Sequence, residues 1–264
     1  MSSIELTADA RGVARLTLNR AELHNAFDDV LIHDLTQVLQ EIDADGRIRV
    51  LVLQSTGASF SAGADLNWMR RMAQASEADN KADALKLALL MRSLNFLSKP
   101  TIARVQGSAF GGGVGLIACC DIAIACDSAR FGLTETKLGL VPAVISPYVI
   151  DAIGGRAARR YFQTAELFDS AQALALGLLH ECVAAADLDS RVDAVIDALL
   201  KTGPNATRAA KALTLAISGR DAKSQLGLDA ATADLIARLR VSAEGQEGLS
   251  AFLDKRKPSW TSAP

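Results

Sequence analysis

Residues 13–19, VARLTLN, follow Gly12 and alternate apolar with polar side chains, the pattern of a β-strand with one covered face. Asp28 and Asp29 then open a stretch with Leu31, Leu35, Val38, Leu39 and Ile42 at helical spacing, which predicts a helix ending at Asp45–Gly46. VLVLQ (50–54) is β-branched and apolar, a second strand that runs into the small-residue loop STGASFSAGAD (55–65). One helix is predicted from Leu66 and a longer one from about 80 to 97. Pro100 ends that segment and introduces the strand TIARVQ (101–106). The run AFGGGVGLIACCD (109–121) follows, and DIAIAC (121–126) reads as a short strand. Strands alternating with helices predict parallel strands joined by crossover helices. From Ser146 the period is helical, apart from the apolar piece LLHECV (178–183). Pro204 can start one late helix, and EGQEGLSAFLDKRK (244–257) forms another. The expectation is an α/β core over 1–200 followed by a helical region over 201–264.

Composition narrows the function classes. A chain of 264 residues that is 50% hydrophobic can bury a large core, and a net charge of −2 gives no electrostatic footprint for nucleic acid. No apolar run approaches the roughly 18 residues of a membrane span. The opening MSSIELTADARG carries acids and lacks an apolar segment, so no signal peptide is expected and the predicted location is cytoplasmic. Cys119, Cys120, Cys126 and Cys182 lack the paired spacing of a zinc site and read as small hydrophobes. His24, His33 and His180 are scattered, so no metal is predicted.

The chemistry concentrates in the glycines. Gly111, Gly113 and Gly115 form G-x-G-x-G, which is neither the dinucleotide fingerprint nor a P-loop. Close packing of a helix start would explain them without chemistry. SFSAGADL (59–66), however, is a second small-residue turn that also leaves a strand and enters a helix. Helix starts expose unpartnered N–H groups and the positive end of the dipole, so two such turns can converge as an oxyanion hole. Small residues are required because a carbonyl oxygen must come within about 3 Å of the main chain.

SAGADL (61–66), FGGGVGL (110–116) and CDIAIA (120–125) together resemble the crotonase (enoyl-CoA hydratase/isomerase) superfamily. The resemblance runs in order from LTLNRAELHNAF (16–27) through ARFGLTETKLGLVP (129–142) to EGQEGLSAFLDKRKPSW (244–260), essentially the whole chain. It implies an α/β spiral of repeated ββα units with a C-terminal helical region that closes the site and builds homotrimers or homohexamers. It also implies an acyl-CoA substrate, with coenzyme A as part of that substrate and no separate cofactor. By resemblance, the amides of Ala64 and Gly112 hold the thioester oxygen, and Glu135 is the acid/base. Lying among Phe131, Leu133, Leu138 and Leu140, Glu135 is expected to have a raised pKa. Leu23, His24, Ala62, Asp65, Leu66, Phe252 and Lys255 match segments that contact coenzyme A. Trp68, Met69 and Met72 are expected to wall the acyl pocket, where Pro142 in PAVISPYV replaces a glycine-rich turn common in the family.

The main departure is Gly115, which stands where family hydratases carry a first glutamate. AGADLNWMRRMA, FGGGVGL, PAVISPYV and EGQEGL look most like bacterial methylglutaconyl-CoA hydratases. That subfamily implies a dicarboxylic substrate, whose distal carboxylate, or water held by it, is expected to occupy the space vacated at Gly115, with Arg70 and Arg71 available to attract it. The alternatives are a single-glutamate enoyl-CoA isomerase, a hydratase of isohexenylglutaconyl-CoA or of general enoyl-CoAs, and a non-catalytic CoA-binding or RNA-binding member.

Overall fold

The structure is a computed structural model that describes residues 3–261. Its strands are β1 (Ile4–Ala8), β2 (Val13–Leu18), β3 (Val50–Ser55), β4 (Ser59–Ser61), β5 (Thr101–Val105), β6 (Ser108–Phe110), β7 (Ile122–Cys126), β8 (Arg130–Gly132), β9 (Phe168–Asp169) and β10 (Glu181–Val183). The helices are α1 (Asp29–Ala44), α2 (Leu66–Gln74), α3 (Glu77–Asn95), α4 (Gly112–Cys119), α5 (Ser146–Thr164), α6 (Ser170–Leu176), α7 (Leu188–Leu200), α8 (Pro204–Ile217), α9 (Ala222–Val241) and α10 (Ala243–Leu253).

Six strands form one sheet in the order β1-β2-β3-β5-β7-β10, parallel except for the β1–β2 pair. Both faces are covered, which is why the central strands read as continuous apolar runs. Val13, Val50, Val52, Ile102 and Ile124 face Leu188, Val192 and Ile196 of α7. The alternate residues Leu16, Leu51, Leu53, Ala103 and Val105 face the main core, against α1 and α3. A second, smaller sheet has the order β4-β6-β8-β9. The pairs β3–β4, β5–β6 and β7–β8 each give one strand to each sheet, and this is the repeating unit of the spiral.

The strands of the small sheet, and β1, go beyond the elements expected from the sequence. Strands of two or three residues are too short to show a period, and β1 buries only Ile4. LLHECV supplies β10, which pairs parallel to β7. The C-terminal helices pack directly on the core: α9 lies along α3, and α10 lies against α2 and the 135–138 turn. Ala84, Ala88, Leu140, Val144, Ile236 and Leu249 form one apolar cluster across these elements.

Candidate active site

A cavity of about 290 Å³ opens between the two glycine-bearing turns, the 134–138 turn, and helices α2, α9 and α10. The first turn follows β4. There the Phe27 N–H donates to Gly63 O and the Asp65 N–H donates to Phe27 O, both at 2.7 Å, so Ala64 is bridged to Phe27 through its neighbours' groups. The Ala64 N–H, pointing the other way, donates to no acceptor among the described residues. The second turn follows β6, where Gly111 (φ +50°, ψ −117°) precedes α4 and its N–H donates to Gly132 O at 2.9 Å. Gly112 is the first residue of α4, so its N–H lies in the helix's unpartnered first turn. Ala64 and Gly112 both line the cavity. A Cβ at Gly112 would lie 2.8 Å from the Phe27 ring, so only glycine lets this backbone sit there unstrained.

Glu135 opens a 3-10 turn, Glu135–Leu138, that ends at the left-handed Gly139. Helix α10 rests on this turn backbone to backbone: a Cβ at Gly248 would meet Leu138 O at 2.2 Å. The carboxylate projects toward the second glycine turn, where a Cβ at Gly111 would be 3.0 Å from Glu135 Oε1. Oε2 is sealed from solvent and has no hydrogen-bond partner among the described residues. Burial therefore pushes the Glu135 pKa from 4.5 up to about 7, against a lowering hydrogen bond from its own backbone. At neutral pH such a carboxyl can both take and give a proton.

The remaining wall is apolar. Trp68, Met69 and Met72 face the cavity from one stripe of α2. Trp68 is buried, and its Nε1–H donates to Asp83 Oδ1 at 3.1 Å. Val141 through Ile145 supply the facing wall, Pro142 among them.

These features match what comparison finds. The family model for enoyl-CoA hydratase/isomerase matches residues 8–263. The chain belongs to the enoyl-CoA hydratase/isomerase family. It is 48% identical to an enoyl-CoA hydratase of Shewanella pealeana of known structure, with a TM-score of 0.80 over 98% of this chain and 96% of that one. With an enoyl-CoA hydratase of Mycobacterium avium it shares 36% identity and a TM-score of 0.86, covering 98% of this chain and 99% of the other. An enoyl-CoA isomerase/hydratase of Mycosarcoma maydis is 32% identical, over 98% of this chain and 95% of its own length. The architecture is accordingly the α/β crotonase fold.

Within this family member the expected site residues are placed as follows. Ala62, Ala64, Trp68, Met69, Met72, Gly112, Glu135, Pro142 and Phe252 all line the cavity. Leu23 and His24 sit beside it: the Ala62 N–H donates to His24 O at 2.9 Å, and Leu23 is exposed. Leu66 is exposed at the first turn of α2, outside the cavity lining. Lys255 follows α10, exposed and outside the cavity, with its N–H donating to Phe252 O at 3.2 Å. The Asp65 side chain is occupied within the protein. It caps α2 by accepting from the N–H groups of Asn67 (2.8 Å) and Trp68 (3.1 Å), and it pairs with Arg20 at 3.5 Å.

Gly115 needs correcting. Its place is not an open vacancy and it does not line the cavity. A Cβ there would lie 2.4 Å from Ile145 Cγ2, 2.9 Å from Ile145 Cβ and 3.3 Å from Met91 Cε. The Ile145 side chain already fills the space, so no substrate carboxylate can occupy it. Arg70 and Arg71 also lie outside the cavity lining, both exposed on α2. Arg70 Nη1 donates to Asn67 Oδ1 at 2.8 Å, and Arg71 pairs with Asp29. The lining also includes residues outside the expected set, Ile145, Ile236, Arg240 and Leu249 among them. For Arg240 a signal existed: it lies four residues after Ile236, on the same stripe of α9.

No helix among the described residues is long and apolar enough to cross a membrane. No group of three or more His, Cys, Asp or Glu side chains is arranged to hold a metal ion among the described residues.

Proposed function

We propose that the chain adds water reversibly to a branched glutaconyl-CoA, with 3-methylglutaconyl-CoA giving 3-hydroxy-3-methylglutaryl-CoA. The observation that carries the reading is the Glu135 carboxylate, its Oε2 sealed and without a partner among the described residues, beside the turn that presents Gly112. In this mechanism the thioester oxygen accepts from the N–H groups of Ala64 and Gly112. Glu135 takes a proton from water as the water oxygen bonds to Cβ, and the double-bond electrons move onto the thioester oxygen as an enolate. The enolate collapses and takes the same proton from Glu135 at Cα, so one water is added and the carboxylate is restored. A group with a pKa near 7 suits both transfers. Removing one oxyanion donor typically costs about 2.7–4 kcal/mol of barrier, which makes the two amides as important as the acid. The stretches AGADLNWMRRMA, PAVISPYV and EGQEGL support the branched glutaconyl substrate by their resemblance to bacterial methylglutaconyl-CoA hydratases.

A second reading, enoyl-CoA isomerase, is favoured by one observation. Glu135 is the only carboxylate on the described cavity lining, and moving a double bond needs only one proton shuttle. Absorbance separates the two readings: hydration destroys the conjugated enoyl thioester, whereas isomerisation into conjugation creates it. Hydration of 3-methylglutaconyl-CoA, with the product identified by mass and activity lost in Glu135→Gln, is the expected result. Crotonyl-CoA hydrated as efficiently would refute the diacid substrate. We place the enzyme in the cytoplasm as a homotrimer or homohexamer. The α8 helix, which buries none of its own residues and exposes Leu213 and Ile217, supports an assembly of copies.

A further inference from the structure

The cavity holds a cation that the hydration chemistry does not use. Arg240 lines the wall built by α2, α9 and α10, beside Trp68, Met69, Ile236 and Leu249. Its side chain is only 15% exposed, and its guanidinium carbon lies 5.7 Å from the centroid of the Trp68 ring. Nη1 donates to Asn80 Oδ1 at 3.2 Å and to Asp83 Oδ2 at 3.3 Å. Nε and Nη2, which share one edge of the planar group, donate to no acceptor among the described residues. Asp83 divides its own capacity, since its other oxygen accepts from Trp68 Nε1.

The Arg240–Asp83 contact is long and single, well short of the paired geometry that guanidinium and carboxylate prefer. Burial lowers the Arg240 pKa and raises that of Asp83, so each still bears a desolvation penalty that the other does not fully offset. A largely buried guanidinium on a cavity wall, with one donor edge left open, is suited to receive a planar anion. The other basic residue on the described lining is Lys137, whose side chain is exposed to solvent.

We propose that Arg240 determines acyl specificity, binding a carboxylate at the far end of the acyl group through its Nε–Nη2 edge. The proposal rests on the reading of the cavity as an acyl-thioester site and assigns the recognition of the diacid to a residue. It replaces Arg70 and Arg71, which face solvent, and it replaces the space at Gly115, which Ile145 fills. An acyl group with an apolar end would press hydrocarbon against the open donor edge, so the same residue disfavours monocarboxylic thioesters.

The test uses saturated thioesters, which bind but cannot be hydrated, measured by calorimetry on the full chain. Glutaryl-CoA is expected to bind at least about tenfold more tightly than butyryl-CoA, the scale of one charge-assisted hydrogen bond. Arg240→Met is expected to weaken glutaryl-CoA by about 10- to 100-fold while butyryl-CoA binds no less tightly, or more tightly, than to the wild type. Arg240→Lys, which keeps the charge and loses the fork, should fall between. Asp83→Asn keeps an acceptor for Trp68 and removes the competing charge, so it should tighten glutaryl-CoA, a change that misfolding cannot imitate. Equal weakening of both ligands in Arg240→Met, no preference in the wild type, or weaker glutaryl-CoA binding in Asp83→Asn would each overturn the proposal. Failure of the hydratase reading looks different: glutaryl-CoA preference that depends on Arg240, with no hydration of 3-methylglutaconyl-CoA. The converse, hydration of that substrate with a preference indifferent to Arg240→Met, sinks the Arg240 assignment alone.

Discussion

Replacing Glu135 by Gln should abolish hydration and, at alkaline pH, make the protein more stable. In the unfolded chain Glu135 titrates near 4.5, and in the folded protein near 7. Between those values the native state holds a proton that the unfolded state has released, so stability falls as pH rises from 4.5 to 7 and is level beyond. At 1.36 kcal/mol for each pH unit, this amounts to about 3 kcal/mol carried by the wild type above pH 7. Gln never pays it. Its amide does bring a further N–H donor to a site where Oε2 has no partner, at a cost of about 1 kcal/mol at every pH. Glu135→Gln should therefore be about 1 kcal/mol less stable than wild type below pH 4.5 and about 2 kcal/mol more stable at pH 8. For a chain of this size the alkaline gain corresponds to a melting temperature about 4–8 °C higher. Thermal and urea unfolding of both proteins, run in parallel across this range, measure it. A constant offset between them, with no crossing, would refute the claim that burial of the carboxylate sets the behaviour of Glu135.

In steady-state assays kcat/KM should rise about tenfold per pH unit below about pH 7 and level off above it, because Glu135 must be ionised to take the proton from water. A profile flat down to pH 5 would remove Glu135 from that role. Gly115→Ala should destabilise the fold by about 1–3 kcal/mol by pushing a methyl group into Ile145, a cost the helix-propensity gain of about 1 kcal/mol offsets only in part. In an Ile145→Ala background the same substitution should cost less, and a double-mutant cycle on urea midpoints reads the coupling. Additive costs would mean that the two side chains do not compete for space.

Much of this is legible in the sequence. The period of residues 31–42 located α1 within a residue at its start, because an amphipathic stripe and an Asp cap are local properties. The strand at 13–18 followed from its alternation, although the structure covers both its faces, that at 50–55 from a β-branched apolar run, and that at 101–105 from the proline before it. Ala64, Gly112 and Glu135 came from motifs, and the fold brings all three to one cavity. The strands of the small sheet were illegible because two or three extended residues carry no period, and their pairing is with segments far off in sequence.

Sequence by itself therefore determined where the backbone must be small, which faces are apolar, and which acid stands at the glycine turns. Tertiary structure decided what fills the space each of these leaves. Gly115 reads as room for a missing glutamate until α5's N-cap, Ile145, is seen lying 2.4 Å from where its Cβ would be. Arg240 belongs to no motif, and only the packing of α9 along α3 carries it to Asp83 and Trp68. The physical reason is common to both. Periodicity and capping record interactions within a few residues, whereas the contents of a cavity depend on which distant side chains packing brings together.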